Sequence, residues 1–446
     1  MQIEGLYKLF VASTGVTTDT RNIADGNIFF ALKGEKFNAN EFAEQALQNG
    51  ALHVVVDELV KDEWKELYGK RIILVQNVLE TLQQLAGYHR QQLKCPVLAI
   101  TGSNGKTTTK ELVAAVLSKK YKTYATKGNL NNHIGIPLTL LAIKNDVEFA
   151  VIEMGANHQK EIASYCEYVK PDYGLITNVG LAHIEGFGGF EGVVKGKTEL
   201  YADLAKRKGK IFVSSENEIL LGKISDFARL NDKVGQGFQA SDLNAVITYG
   251  KSASAFSHGN PGNSKEFLSV ITEEETIQTN LVGDYNFENV MSAVCIGKYF
   301  GVDLSAIKEA IENYVPSNNR SQKIEWGTNA IILDAYNANP SSMTEALKNF
   351  QKIEAGNKVT ILGEMMELGE YSATEHKKVK ELTDGMNLQQ RVFIGGGFSF
   401  LKGEKDVLYF ENTSFLKDWF KQQKLENAYL LIKGSRKNEL EKIFKD

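Results

Sequence analysis

The stretch at 97–119 limits this chain more than any other. An apolar run at 97–100 feeds directly into Thr101-Gly102-Ser103-Asn104-Gly105-Lys106-Thr107-Thr108, and a helical pattern follows at 110–119. Strand, glycine-rich turn and helix in that order form a cradle for phosphate. The two glycines let backbone N–H groups approach phosphate oxygens, and the helix N-terminus adds a favourable dipole. Lys106 would neutralise the β- and γ-phosphates and Thr107 would offer a hydroxyl to Mg²⁺. A full Walker pattern has glycine at position 100, where this chain has Ile100, so only the Gly-Lys-Thr end of that motif is matched. A plain glycine turn is the bland alternative, and the flanking strand and helix argue against it. Thr101 to Thr108 are therefore read as a binding loop for a nucleoside triphosphate whose γ-phosphate enters the chemistry.

Around this loop the pattern alternates. Strand-like runs at 28–32, 53–56 and 72–75, with helical patterns such as 41–48, make a small α/β unit. After a helix at 81–93, strands at 97–100, 149–153, 173–177 and 210–214 alternate with helices, which predicts a parallel sheet covered on both faces. Residues 245–281 read as strand pairs around a Gly, Ser and Asn-rich loop at 250–264, an antiparallel extension of the same unit. Helices are expected at 286–300 and 304–314. The segment 315–320, with Pro316, Ser317, Asn318 and Asn319, reads as a linker. Beyond it, strands at 330–334, 358–362, 391–394 and 428–432 alternate with helices in a second doubly wound sheet. The expected class is α/β in three domains: a small N-terminal domain at 1–94, a central P-loop domain with a parallel sheet and antiparallel extension at 95–315, and a Rossmann-like C-terminal domain at 316–446. With 446 residues, 43% of them hydrophobic, the chain has material for three cores.

Lys plus Arg is 51 and Asp plus Glu 55, a formal charge of -4, so no overall basic field exists to hold nucleic acid or an anionic membrane. Phosphate must be met locally. Cys95, Cys166 and Cys295 lie far apart without a CxxC spacing, and read as reduced core residues rather than a disulfide or zinc framework. The start at 1–10 carries Glu4 and Lys8 and is unlike a signal peptide, and no apolar run reaches the ~18 residues of a membrane span. A cytoplasmic protein is expected.

Magnesium carrying a triphosphate needs more oxygen ligands than one threonine. Glu153, ending the apolar strand 149–153, is the first candidate, because ligands collect at the carboxyl ends of strands in open α/β sheets. A solvated rim residue is the bland alternative. His183, in the loop after the strand at 173–177, occupies an equivalent place, where a hydrogen-bonded structural histidine is the commoner occupant.

Together these segments resemble the Mur ligases, which build the peptide stem of peptidoglycan. The resemblance spans nearly the whole chain. It rests on Thr101 to Glu111, Gly128-Asn-Leu-Asn-Asn-His-Ile-Gly-Ile-Pro137, Glu153-Met-Gly-Ala-Asn-His158, Asn178 to Gly186 and Asp334-Ala-Tyr-Asn-Ala-Asn-Pro340. Leu362-Gly-Glu-Met-Met-Glu-Leu-Gly-Glu370 with His376, and Lys433-Gly-Ser-Arg436, add to it. The family implies that Lys106 and Thr107 serve phosphate and Mg²⁺, Glu153 a first metal and His183 a second. It also implies a lysine carbamylated by CO₂ as a further oxygen ligand, at Lys197 or, two residues earlier, Lys195; by itself Lys197 reads as a surface helix residue. Adenine and ribose contacts would come from Asn286, Asn289, Arg320, Asp334 and Asn337. Tyr285 stands where the family commonly has histidine, and a helix N-cap is the bland reading of Asn286.

In the first domain, Thr18, Thr20, Arg21, Lys33 and Gly34 fall in segments similar to the family's UDP-sugar site, and Asn131 and Asn132 would join them on the peptide side. The family's Asp-Gly-His is replaced here by Asn38-Ala39-Asn40. The implied activity is ATP-dependent amide-bond formation through an acyl phosphate, with a third domain that closes over ATP about 315–320 and binds the incoming amine. Asp334 to Pro340, and the absence of an Asp-Asn-Pro-Arg segment, favour the dipeptide-adding branch, hence UDP-MurNAc-tripeptide and D-Ala-D-Ala as substrates of a monomer. The rivals are a ligase adding a single amino acid to a muropeptide or glutamate to a folate, and a non-catalytic UDP-sugar or NTP-binding sensor.

Overall fold

Residues 2–234, 245–263, 266–423 and 425–444 are described by the computed structural model; Met1, Ser264 and Asp446, which end stretches named above, lie outside the described residues. Three parallel-type sheets carry the chain. In the first, Val16–Thr17, Ile28–Phe30, His53–Val56 and Ile72–Leu74 lie side by side, all parallel. Its side chains alternate as a strand period requires. Ile28, Phe30 and Val55 pack on Leu6, Phe10, Val78 and Leu82 of the helices Ile3–Ala12 and Val78–Gln92. Phe29, Val54 and Val56 pack on the other face with Ala43, Ala46 and Trp64. Val78–Gln92 starts three residues before the expected helix because Asn77 caps it, accepting from Glu80 N at 3.0 Å.

The second sheet runs Thr276–Val282, Phe267–Thr272, Ser257–Pro261, Val246–Gly250, Lys210–Ser214, Tyr173–Ile176, Val97–Thr101, Phe149–Glu153, Thr123–Ala125. The phosphate-loop strand is interior, paired in parallel with Phe149–Glu153 on one side and Tyr173–Ile176 on the other. Three loops thus leave the same edge of the sheet together. The expected loop at 250–264 is corrected in one respect: it holds the strand Ser257–Pro261, which pairs in parallel with Val246–Gly250, so antiparallel pairing starts only one strand later. A Cβ at Gly259 would meet Ile271 O at 2.8 Å. The small residues that read as loop are there because a neighbouring backbone passes close by.

The third sheet has the order Gln322–Trp326, Asn329–Asp334, Ala428–Lys433, Asn357–Gly363, Gln390–Ile394, Leu408–Phe410, parallel except for the first strand. The four expected strands are its interior. Both edge strands went unforeseen, being short or partly exposed and without a continuous apolar run. In the segment 315–320, Asn318 and Asn319 take φ of 59° and 58°, a left-handed conformation that asparagine tolerates better than most residues. No helix among the described residues is long and apolar enough to cross a membrane.

Candidate active site

The loops at the carboxyl ends of the second sheet open into a cleft of about 800 Å³, roofed by residues 320–345 of the third unit. Its floor is the phosphate loop. The helix there is Lys106–Leu117, four residues earlier than expected, with Gly105 at its N-cap in the left-handed region. The loop glycines have packing reasons as well as phosphate ones. A Cβ on Gly102, whose φ is +142°, would lie 2.0 Å from Thr177 Oγ1, and one on Gly105 would lie 2.5 Å from Asn289 Oδ1. Thr101 and Gly102 are buried beneath the cleft, whereas Ser103, Asn104, Gly105, Lys106, Thr107 and Thr108 line it.

Two loop amides are already taken: Ser103 N donates to Asn178 O and Asn104 N to Asn178 Oδ1, both at 3.0 Å. The amides of the first helical turn, from Lys106 onward, remain to face an anion. Lys106 Nζ folds onto Gly102 O at 2.7 Å and Ser103 O at 3.1 Å. Burial lowers its pKa to about 8, with Glu153 opposing the shift and Arg320 adding to it.

Glu153 is not a rim residue; it is 1% exposed. Its Oε1 accepts from Thr107 Oγ1 at 3.1 Å and from Asn131 Nδ2 at 2.7 Å. Its Oε2 is buried without a hydrogen-bond partner, 3.8 Å from the buried ammonium of Lys110. A carboxylate oxygen left unsatisfied beside a free hydroxyl lone pair suits a hard divalent cation. Asn131 and Asn132, expected as contacts of the UDP-MurNAc-peptide, both line the cleft, and Asn131 also turns its amide N–H to Glu153. Asn132 uses its Oδ1 on Ile134 N and Gly135 N, at 3.1 and 2.8 Å, to start the helix Gly135–Leu141.

His183 lines the cleft, and its Nδ1 meets the carboxylate of Glu367 from the third unit. Lys197, read by itself as a surface residue, is 1% exposed on the helix Phe190–Arg207, whereas Lys195 is exposed. Packing on the inner face of that helix overrides the polar reading. Its Nζ donates to Ala156 O at 2.9 Å and lies 5.0 Å from the centre of the Phe187 ring. Burial, and secondarily Lys106, push its pKa well below the usual lysine range. Lys197 is not among the residues lining the cleft, though Ala156 is. Among the described residues no three His, Cys, Asp or Glu side chains gather tightly enough to hold a metal by themselves. Magnesium that retains waters and phosphate oxygens needs no such cage.

Asn286, Asn289, Arg320, Asp334 and Asn337 all line the cleft. Asn286 does not cap its helix through its side chain; its Nδ2 donates to Val282 O at 2.9 Å while its Oδ1 accepts from Asn289 Nδ2 at 2.9 Å. Asn289 Oδ1 in turn accepts from Thr109 at 3.0 Å, tying two helices together. Asp334 pairs with buried Lys433 at 2.5 Å, and the Arg320 guanidinium stacks 3.6 Å over Tyr336. Asn337 Oδ1 accepts from Ala338 N at 2.9 Å. Tyr285 reaches across the units to Ser321 Oγ at 2.8 Å.

Thr18, Thr20, Arg21, Lys33 and Gly34 are not brought to this cleft. They follow the carboxyl ends of two strands of the first sheet, Val16–Thr17 and Ile28–Phe30. Arg21 is clamped by Asp19, whose carboxyl it holds at about 2, and Lys33 pairs with Glu58 at 2.8 Å and Asp57 at 3.1 Å. Sequence reasoning passed over Lys110, Tyr336, Asn339 and Glu367 as individual residues, because Glu153, Arg320, Asn104 and His183, which they meet, lie outside their own motifs.

Three family models match: the Mur ligase family catalytic domain at 13–90, the Mur ligase middle domain at 100–297 and the Mur ligase glutamate ligase domain at 319–405. The chain is 32% identical over 442 residues to the UDP-N-acetylmuramoyl-tripeptide--D-alanyl-D-alanine ligase of Bacillus subtilis (strain 168), covering 97% of this chain and 92% of that one. The enzyme of that name from Escherichia coli (strain K12) is 33% identical over 433 residues, with 96% and 92% covered. Among solved structures, MurF from Acinetobacter baumannii superposes with a TM-score of 0.82 at 28% identity, covering 98% of this chain and 96% of that one. MurF ligase from Thermotoga maritima in complex with ADP gives 0.82 at 22% identity, with 98% and 97% covered. With the sheets, the phosphate loop and the buried glutamate in view, the chain belongs to the Mur ligase family.

Proposed function

We propose that this chain is the ATP-dependent ligase that joins D-alanyl-D-alanine to UDP-N-acetylmuramoyl-tripeptide in peptidoglycan precursor synthesis. The observation that carries the reading is Glu153 Oε2, buried beside Thr107 at the mouth of the phosphate loop without a hydrogen-bond partner and faced only by the Lys110 ammonium at 3.8 Å. A plain glycine turn would have no use for an unsatisfied carboxylate. Full-length likeness to ligases of that name supports the choice of substrates.

The terminal carboxylate of the tripeptide attacks the γ-phosphorus of ATP. ADP leaves and an acyl phosphate forms. The amine of D-Ala-D-Ala then attacks the acyl carbon, inorganic phosphate leaves, and the amine gives up its proton as the amide forms. Lys106 and the free amides of Lys106–Leu117 oppose the charge of two anionic reactants brought together. Thr107 and Glu153 would hold one Mg²⁺, and His183 with carbamylated Lys197 a second, where the ions would screen the transferring phosphoryl group. Only the neutral amine reacts with CO₂, and burial favours that form by lowering the pKa of Lys197.

Asn286, Asn289, Arg320, Asp334 and Asn337 bound the nucleoside end. We assign UDP-sugar binding to 1–94, ATP binding to 95–315, and closure with dipeptide binding to 316–446. Closure excludes water from the acyl phosphate. The protein works as a monomer in the cytoplasm, where ATP is supplied. Phosphate release is measured with every pairing of UDP-MurNAc-peptides with single amino acids or D-Ala-D-Ala. Release that requires both UDP-MurNAc-tripeptide and D-Ala-D-Ala is expected; release with a single amino acid instead would overturn the assignment.

A further inference from the structure

His183 and Glu367 come from different units and are 184 residues apart, yet Glu367 Oε2 meets His183 Nδ1. The contact is reinforced by backbone: Glu185 N donates to Glu367 O at 3.4 Å. A Cβ on neighbouring Gly369 would sit 3.2 Å from the side chain of Glu185. Both partners adopt left-handed backbone, φ 53° at His183 and 60° at Glu367, although neither is glycine. Such conformations are strained for residues with a Cβ and persist only where the surroundings fix them. The two faces of the imidazole differ. His183 lines the cleft, whereas Glu367, which meets it at Nδ1, does not. No protein hydrogen bond engages Nε2 among the described residues.

We propose that Glu367 is a positioning residue that holds His183 in the tautomer protonated on Nδ1, so that the Nε2 lone pair is presented to the cleft. A carboxylate on one ring nitrogen of a histidine fixes both the ring's orientation and the site of its proton. The inference rests on the reading of His183 as a cation ligand. It adds that this ligand is made competent by the third unit, since Glu367 reaches His183 only when the two units are docked. His183 is then oriented by the same movement that closes the cleft.

The first test needs neither metal nor substrate. Protein labelled with ¹⁵N-histidine is examined above the titration range of histidine, with the His183 signals assigned by their loss in His183→Gln. The Nδ1-protonated pattern is expected in the wild type and in Glu367→Gln, whose amide oxygen still accepts. In Glu367→Ala it gives way to the Nε2-protonated form. One tautomer shared by wild type and Glu367→Ala overturns the proposal. The second test counts Mn²⁺ ions by electron paramagnetic resonance in the presence of ADP. Glu367→Ala is expected to weaken one ion by roughly 10- to 100-fold and leave the other unchanged. Wild-type affinity for both in Glu367→Ala overturns the positioning role. Retention of both ions in His183→Gln overturns instead the cation reading on which it rests.

Discussion

The side-chain amide of Asn339 donates to the amide oxygen of Asn104 at 2.8 Å, joining the start of a third-unit helix to the phosphate loop 235 residues earlier. The same side chain caps Pro340–Lys352, accepting from Ser342 N at 2.9 Å in a reciprocal capping box. One residue therefore starts a helix and docks it over the nucleotide loop.

Two substitutions separate those roles. Asn339→Asp keeps the cap and loses the donor to Asn104, while Asn339→Ala loses both. The first is expected to cost about 1 kcal/mol and the second a further ~1 kcal/mol. Urea unfolding followed by the fluorescence of Trp326 and Trp419, both in the third unit, reads the difference. Equal losses would show that the cap contributes nothing measurable.

Glu153→Gln is isosteric but removes the charge that faces the proposed cation. Turnover should fall by roughly 100- to 1000-fold, the scale seen when one preorganised electrostatic partner of a transition state is removed. Single-turnover ADP formation and Mn²⁺ binding should fall together. Unchanged Mn²⁺ binding would remove Glu153 from the cation site.

Lys106, lowered to about 8 by burial, is partly neutral at mildly alkaline pH in the free protein. A bound polyphosphate favours its charged form, so its pKa rises on binding and a proton is taken up. Near pH 8 the uptake should approach about half a proton, and it should vanish about two pH units lower, where the amine is already charged. Calorimetry in buffers of different ionisation enthalpy measures it. Lys106→Arg should abolish the uptake, and its persistence there would assign the proton elsewhere.

The carbamate proposed at Lys197 forms from CO₂ and the neutral amine. Enzyme prepared without CO₂ or bicarbonate should lose most of its turnover and regain it on adding bicarbonate, whereas Lys197→Ala should be inactive under both conditions. Full activity in Lys197→Ala would exclude the carbamate.

Gly102→Ala asks a backbone at φ +142° to carry a Cβ 2.0 Å from Thr177 Oγ1 and 3.1 Å from the backbone N and O of Asn178. Strain of order 1–3 kcal/mol is expected together with displacement of the phosphate loop. Both the melting temperature and the affinity for ATP should drop. An unaltered variant would show that the loop yields freely.

Local chemistry made much of this protein readable from its sequence. Apolar runs bounded by turn residues located the interior strands of the first and third sheets and the parallel core of the second. Strand, Gly-rich turn and Lys-Thr identified the phosphate loop, because hydrogen-bonding geometry and dipole there depend on neighbours in the chain. Glu153 was findable by its place at a strand end. The strand Ser257–Pro261 was not, since its small residues answer to backbones distant in sequence. Nor was the burial of Lys197, decided by which face of its helix meets the sheet. The partner of Asn131, the orphaned oxygen of Glu153, the embrace of Arg21 by Asp19 and the docking of Asn339 and Glu367 are likewise tertiary facts. Side-chain hydrogen bonds act over about 3 Å, so whether two groups meet is settled only when packed layers bring their loops together.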